Sequence, residues 1–359
     1  MIKDYLEILR SVPLDFGNPD VDIEKNEIVL SIGKAALFMY ERYCEKFPVF
    51  KKKKGLIILP EGLSVGNVVD SVQVLYSTHP DISQTSFNVC CEIFNFIETN
   101  KPGKVTVLLS GGSSSLVEHS KHPQKTIANN EHLLNSGLDI VSLNKKRIAN
   151  SLIKGGKFAE RYPHIFFKVF VMSDIPFDEG ENYVGSMPFY RKDLENTSLK
   201  KCADSNTFHD HLLCCLQPLK TGKIDSVRKF SGTVNELFEL VLYHIKNRED
   251  HLLVTGEPTV RISLPEKGSG GRMSHLALML LPFLDRSVSL LALSSDGKDG
   301  NSSYAGAVID CVPEKIQKDE INKALLNYDS ATYLSRHGFS VESGYTGINL
   351  NDFIVVVRK

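Results

Sequence analysis

The sequence predicts an α/β protein: an N-terminal domain with a mainly parallel sheet, followed by a smaller C-terminal α/β domain. Short apolar, β-rich runs alternate with stretches whose apolar residues recur at helical spacing, the pattern of strands joined by crossover helices. The runs end in turns rich in Gly, Ser and Asp. At 359 residues the chain exceeds what one hydrophobic core usually supports, so two domains with a cleft between them are expected.

The first unit of the pattern is Ile28 to Ile32, a strand that stops at Gly33-Lys34-Ala35-Ala36 and is followed by Leu37, Tyr40 and Tyr43 at helical spacing. Lys34 falls in the first turn of that helix, where the macrodipole disfavours a cation unless an anion is also bound. Strands follow at Gly55–Leu59 and Val72–Tyr76, and a core-facing helix carries Val89, Cys90, Ile93, Phe94 and Ile97. The run Val105 to Leu109 then enters Ser110-Gly111-Gly112-Ser113-Ser114. Two adjacent glycines let the backbone turn sharply, so N–H groups and serine hydroxyls can converge on a phosphate or carboxylate. The alternative is a plain strand-to-helix turn.

Further on, Leu133-Leu134-Asn135-Ser136-Gly137 ends a helix, and Asn144 to Ile153 makes a basic one. Arg147 and Lys154, the latter beside Gly155-Gly156, are candidates to reach a phosphate. Phe166 to Met172 reads as a buried strand ending in Ser173-Asp174, which places Asp174 where open α/β sheets bind ligands; capping the next turn is the other use of such an aspartate. From Arg191 to Asn206 the sequence is polar, and Gly222 to Val227 reads as a linker, giving domains of 1–227 and 228–359.

In the second domain helical spacing at Val234, Leu237, Phe238, Val241 and Leu242 and then the run Leu252 to Val260 precede a second glycine-rich loop, Gly268-Ser269-Gly270-Gly271-Arg272. Arg272 offers a planar fork for a carboxylate or phosphate. The buried strand Val288–Leu293 ends in Asp296-Gly297-Lys298-Asp299, two carboxylates suited to a hard cation, and a last strand runs from Phe353 to Val357.

Composition narrows the function. Apolar residues are 42%, charged residues 24% and the formal net charge is -1, so disorder is excluded and nucleic acid is not expected as a partner. Lys51 to Lys54 reads as a solvated turn. Seven cysteines without framework or metal spacings suit reduced thiols in a cytoplasm. The most apolar helical stretch, Leu276 to Leu284, is too short for a membrane and contains Pro282.

Taken in order, Gly33-Lys34-Ala35-Ala36, His79-Pro80, Ser110 to Ser113, Leu133 to Gly137, Lys154-Gly155-Gly156, Ser173-Asp174, Gly256 to Val260, Gly268 to Arg272, Asp296 to Gly300 and Thr346 to Asp352 resemble the glycerate 2-kinases of the family whose C-terminal part is called the MOFRL domain. The resemblance covers most of residues 28–357. It implies ATP-dependent, magnesium-assisted phosphorylation of D-glycerate at its 2-hydroxyl, in a cleft between a Rossmann-like domain and the MOFRL domain, by a cytoplasmic monomer or homodimer. It marks Lys34, Asp174, Arg272 and Asp296 as catalytic. Ser110, Gly111, Gly112, Ser113, Ser114 and Lys154 would hold the nucleotide, and Asp174, Asp296 and Asp299 the metal; Asp174 is the favoured base.

Three stretches depart from the family's pattern. Gly-Gly-Arg-Asn-x-Glu becomes Gly270-Gly271-Arg272-Met273-Ser274-His275, Ser-Gly-Pro becomes Gly185-Ser186-Met187-Pro188, and Asn-Asp-Ser becomes Tyr328-Asp329-Ser330. Two other functions compete: an NAD(P)H-dependent hydroxypyruvate reductase, against which stands the lack of a GxGxxG turn, and a non-catalytic small-anion binder, which would gain nothing from carboxylates beside its ligand.

Overall fold

The computed structural model describes residues 5–18, 24–63, 70–134, 140–173, 184–218, 222–247, 250–260, 268–312 and 317–359. Among these, the backbone forms two sheets, of six and five strands, each within its own compact unit.

The first unit is Leu14–Asp204. Its strands are β1 (Ile28–Ile32), β2 (Gly55–Pro60), β3 (Val72–Ser77), β4 (Lys104–Ser110), β5 (Phe166–Met172) and β6 (Thr197–Ala203). Their order is β3-β2-β1-β4-β5-β6, and all neighbours run parallel. β1 and β4 are buried along their whole length, as central parallel strands covered on both faces must be. Ile28, Leu30, Val105, Val107 and Leu109 share a core with Val89, Ile93 and Ile97 of the helix Gln84–Asn100. Ser83 caps that helix with a capping box, and it ends at Lys101 in the left-handed conformation, just before Pro102 forbids continuation. Chain order along the sheet reverses between β1 and β4, so the turns after these two strands flank the crevice where such sheets bind ligands.

The second unit is Met1–Pro13 with Ser205–Lys359. It contains β7 (Ile224–Phe230), β8 (His251–Gly256), β9 (Val288–Ser294), β10 (Gly306–Ile309) and β11 (Asp352–Arg358) in the order β10-β9-β11-β8-β7. β11 is antiparallel to both β8 and β9, and Asp352 stands opposite Gly256 on one side and Ser294 on the other. The start of β11 therefore meets the ends of β8 and β9 in the middle of the sheet.

The unit boundary is a correction to the sequence reading, which places it at 227. β7 is not a linker: it pairs in parallel with β8, and the helix Ser205–Leu216 packs on both strands. The helix Tyr5–Arg10 belongs here too. Leu9 and Val12 are fully buried, and His211 Nε2 lies 2.8 Å from the Ile8 carbonyl. Among the described residues no helix is long and apolar enough to cross a membrane.

Candidate functional site

Each unit presents one constellation of interest. In the first, the turns after β1 and β4 are sewn together by the backbone. The Lys34 N–H donates to the Gly111 carbonyl at 2.9 Å, and the Ala35 N–H donates to Ser110 Oγ at 3.0 Å. Gly33 (φ 129°) and Gly112 (φ 85°) occupy backbone conformations that side chains rarely adopt. A Cβ on Gly33 would sit 2.2 Å from Ser110 Oγ, and one on Gly112 would sit 2.8 Å from the His79 ring and 3.3 Å from Lys34 Cγ. The Lys34 side chain thus lies directly beside the Gly–Ser loop, at the reversal point of the sheet. Gly33→Ala is expected to cost ~1–3 kcal/mol in backbone strain alone and to disorder Ser110; an unchanged melting temperature would show that the two turns do not pack in this way.

Lys154 is corrected. Its ammonium is only 1% exposed and is paired with Glu118, which also accepts from Ser151 Oγ and the His119 N–H. Burial lowers the Lys154 pKa, with Glu118 opposing that shift. A lysine so enclosed supports the wall beneath the loop and does not present itself to a phosphate. Asp174 and residues 135–139 lie outside the described residues.

In the second unit Arg272 opens the helix Arg272–Leu280 beside the strand ends where β8, β9 and β11 meet. Its Nε is 2.9 Å from Asp352 Oδ2, Nη2 is 3.7 Å from Glu257 Oε1, and Nη1 donates to the Pro258 carbonyl at 3.4 Å. Burial would lower the Arg272 pKa, but the carboxylates of Asp352 and Glu257 outweigh it and the net shift is upward. Asp352 is 1% exposed. Its Oδ2 receives no hydrogen bond despite the nearby cation, and burial pushes its pKa up to about 7 against the pull of Arg272.

The aspartates assigned to metal divide. Asp299 is corrected: its carboxylate accepts from the Met273 N–H at 3.0 Å, the Ser274 N–H at 2.7 Å and Ser274 Oγ at 2.6 Å. It is buried and caps the helix that begins with Arg272, where an acidic group complements the free N–H groups. Gly271 is required by this approach, since a Cβ there would sit 2.3 Å from Asp299 Oδ1. Asp296 is half-buried, and its Oδ1 accepts from Ser294 Oγ at 3.0 Å and the Lys298 N–H at 2.9 Å, an Asx turn. Among the described residues no group of three or more His, Cys, Asp or Glu could hold a metal ion.

Asp352 and Glu257 were missed as site residues by sequence reasoning. The available signal was an acid heading the final apolar run, but only the antiparallel placement of β11 brings it to Arg272. Asp352 also makes a pH prediction. An unfolded aspartate titrates near 4, whereas this one titrates near 7, so between those values the folded chain keeps a proton that the unfolded chain has lost. Its stabilising contribution is complete below about pH 4 and is lost as pH rises through 7, with a slope of up to ~1.4 kcal/mol per pH unit. Asp352→Asn is therefore expected to gain stability relative to the parent as pH rises from 4 to 7 in urea melts; a pH-independent difference would mean that the carboxyl titrates normally.

The comparisons with known proteins cover both units. A family model described as Domain of unknown function (DUF4147) matches residues 3–211. The chain belongs to this DUF4147 family. A second model, the MOFRL family, matches residues 250–352. The glycerate 2-kinase of Sulfurisphaera tokodaii is 29% identical over 94% of this chain and 94% of its own, and the D-glycerate 2-kinase of Thermotoga maritima is 26% identical over 91% and 89%. The crystal structure of glycerate kinase from Thermotoga maritima shares the fold, with a TM-score of 0.83 and 22% identity over 99% of each chain.

Two of this DUF4147 member's departures from the pattern turn out to be neighbours. His275 stacks on Tyr328, with ring centroids 5.5 Å apart and planes 20° apart, and its Nδ1 lies 3.1 Å from Ser330 Oγ. Burial lowers the His275 pKa. Tyr328 has φ 50°, a region that the pattern's Asn tolerates well and a tyrosine poorly. The stack on His275 helps to hold it there.

Proposed function

We propose that the chain is an ATP-dependent D-glycerate 2-kinase, forming 2-phosphoglycerate and ADP. The observation that carries the reading is Lys34 set beside a glycine–serine loop at the reversal point of a parallel sheet, a cradle for phosphate; the relatives named glycerate 2-kinase point to the same chemistry. In that reaction the 2-hydroxyl oxygen bonds to the γ-phosphorus, the bond to the ADP oxygen breaks, and the hydroxyl proton passes to a base. Lys34 with Ser110, Gly111, Gly112, Ser113 and Ser114 would hold the phosphates. Arg272 would grip the glycerate carboxylate. Asp174 is the proposed base, with Asp296 the alternative orienting group.

Phosphoryl transfer draws its catalysis mainly from positioning and charge stabilisation, which two fixed cations supply. The divalent cation, magnesium, would arrive as the magnesium complex of ATP, with Asp174 and Asp296 the carboxylates proposed to face it. Seven free cysteines accord with a cytoplasmic setting, where a monomer or homodimer is expected. The reductase alternative is disfavoured by the turn after β1, where Gly33 stands alone and the pyrophosphate fingerprint is missing.

The test is product analysis. With D-glycerate, ATP and magnesium the protein is expected to release ADP and a product that purified enolase consumes directly. Excess chelator is expected to abolish turnover. Product that enolase leaves untouched would overturn the regiochemistry, and turnover of NADH with hydroxypyruvate in place of ADP release would overturn the kinase reading.

A further inference from the structure

The turn after β8, Gly256-Glu257-Pro258-Thr259-Val260, is one of the motifs that the sequence marks, yet the proposed reaction gives Glu257 no task. The turn is fixed by its backbone. The Glu257 N–H donates to the Phe230 carbonyl at 2.8 Å and the Thr259 N–H to the Gly232 carbonyl at 2.9 Å. A Cβ on Gly256 would collide with the Phe230 backbone, so glycine is needed where the end of β8 lies against β7. Glu257 is therefore held in place before its side chain makes any contact.

Around Arg272 the contacts are unequal. The Nε edge is seated on the buried Asp352 at 2.9 Å, whereas Nη1 reaches the Pro258 carbonyl at 3.4 Å and Nη2 stands 3.7 Å from Glu257 Oε1. That last separation is too long for a direct hydrogen bond. The Arg272 and Glu257 side chains are 35% and 43% exposed, so a molecule from solvent can meet both. A cation braced from behind and a hydrogen-bond acceptor thus stand side by side.

The spacing suits one small acid. With C–C bonds of about 1.5 Å, the far hydroxyl of a three-carbon acid lies within about 4 Å of its carboxylate carbon. A carboxylate on the Nη end of Arg272 therefore brings that hydroxyl within reach of Glu257. A glutamate there accepts from a hydroxyl, offers nothing to a methyl group and repels a second carboxylate.

We propose that Glu257 is a specificity-determining residue: it accepts a hydrogen bond from the 3-hydroxyl of the acid that Arg272 holds, and so selects a hydroxymethyl end over a methyl or carboxylate one. The 3-hydroxyl is the one assigned to Glu257 because the 2-hydroxyl must face the phosphoryl donor. That the acid is glycerate rests on the kinase reading; the selection of a hydroxy acid by Arg272 and Glu257 does not.

Glu257→Ala and Glu257→Gln test this with three acids that share a 2-hydroxy carboxylate and differ at the far end: D-glycerate (hydroxymethyl), D-lactate (methyl) and tartronate (a second carboxylate). Binding is measured by calorimetry without nucleotide, and turnover of D-glycerate by steady-state kinetics. The parent is expected to bind D-glycerate about tenfold or more tighter than D-lactate, as a hydrogen bond to a charged acceptor gives. Glu257→Ala is expected to weaken D-glycerate about tenfold, leave D-lactate within about twofold and tighten tartronate. Its KM for D-glycerate should rise in step while that for ATP stays within about twofold. Glu257→Gln keeps an acceptor without the charge, so it is expected to lose less on D-glycerate and still to admit tartronate. A Glu257 that only steadied Arg272 would weaken all three acids alike. The proposal is overturned if Glu257→Ala weakens D-glycerate and D-lactate equally, if it leaves D-glycerate within about twofold of the parent, or if the parent binds D-glycerate no better than D-lactate. If Glu257→Ala does not fold, Glu257→Gln decides, and unchanged exclusion of tartronate overturns the proposal. A parent that discriminates the acids through Glu257 but releases no ADP would uphold the proposal and refute the kinase reading alone.

Discussion

Arg272→Ala is expected to lower kcat/KM for D-glycerate about 100-fold or more while the protein stays folded, since a positioned cation at a phosphoryl-transfer centre is worth ~3 kcal/mol or more. The fold should survive because of Asp352. With the guanidinium present that buried carboxyl already titrates near 7; without it, burial keeps the carboxyl protonated at neutral pH, so no bare charge is stranded in the sheet. Arg272→Lys is expected to fail almost as badly. A lysine supplies charge but not the planar fork that can meet Asp352 through one edge and a substrate carboxylate through another. Steady-state kinetics with a thermal melt checks both, and near-normal kcat/KM in Arg272→Ala would remove Arg272 from the reaction.

Lys154→Ala is expected to act in the opposite way, with a loss of ~3–5 kcal/mol of stability and activity falling only as a consequence. The ammonium is enclosed and its partner Glu118 is 1% exposed, and removing one member of a buried pair strands the other charge. Urea denaturation should show the loss, and adding Glu118→Gln to the variant should recover part of it. A lysine that bound ATP directly would instead give a stable protein with little turnover.

Most of the strands that the sequence marks are buried ones, the partly exposed edge strand β3 being legible from its own Val-x-Val-Leu-Tyr run. β1, β4, β5 and β9 carry apolar runs because both faces are covered, and their ends locate Lys34, Ser110 and Asp296 without further help. β6 and β7 were read as polar connection and linker. Both are edge strands with one neighbour and partly exposed residues along their length, so no apolar run marks them. Asp299 failed for another reason. Its partners Met273 and Ser274 lie 26 and 25 residues away, and a cap delivered from a distant loop leaves no local spacing to read. Arg272 was legible because a glycine pair followed by arginine at a helix start is a local pattern. Asp352 was not, since its place in the site depends on what the folded chain sets beside it.

The helix Tyr5–Arg10 gives the chain an order of assembly. It is made well before its partners, which lie in a unit whose remaining residues start at Ser205. During synthesis residues 14–204 can close their parallel sheet while the helix Tyr5–Arg10 waits, its Leu9 and Val12 still wet. The second unit cannot finish until β11 has left the ribosome and slotted between β8 and β9. The arginine centre at those strand ends therefore matures after the Gly–Ser loop already exists, so a nascent chain would acquire its anion cradle before its carboxylate grip.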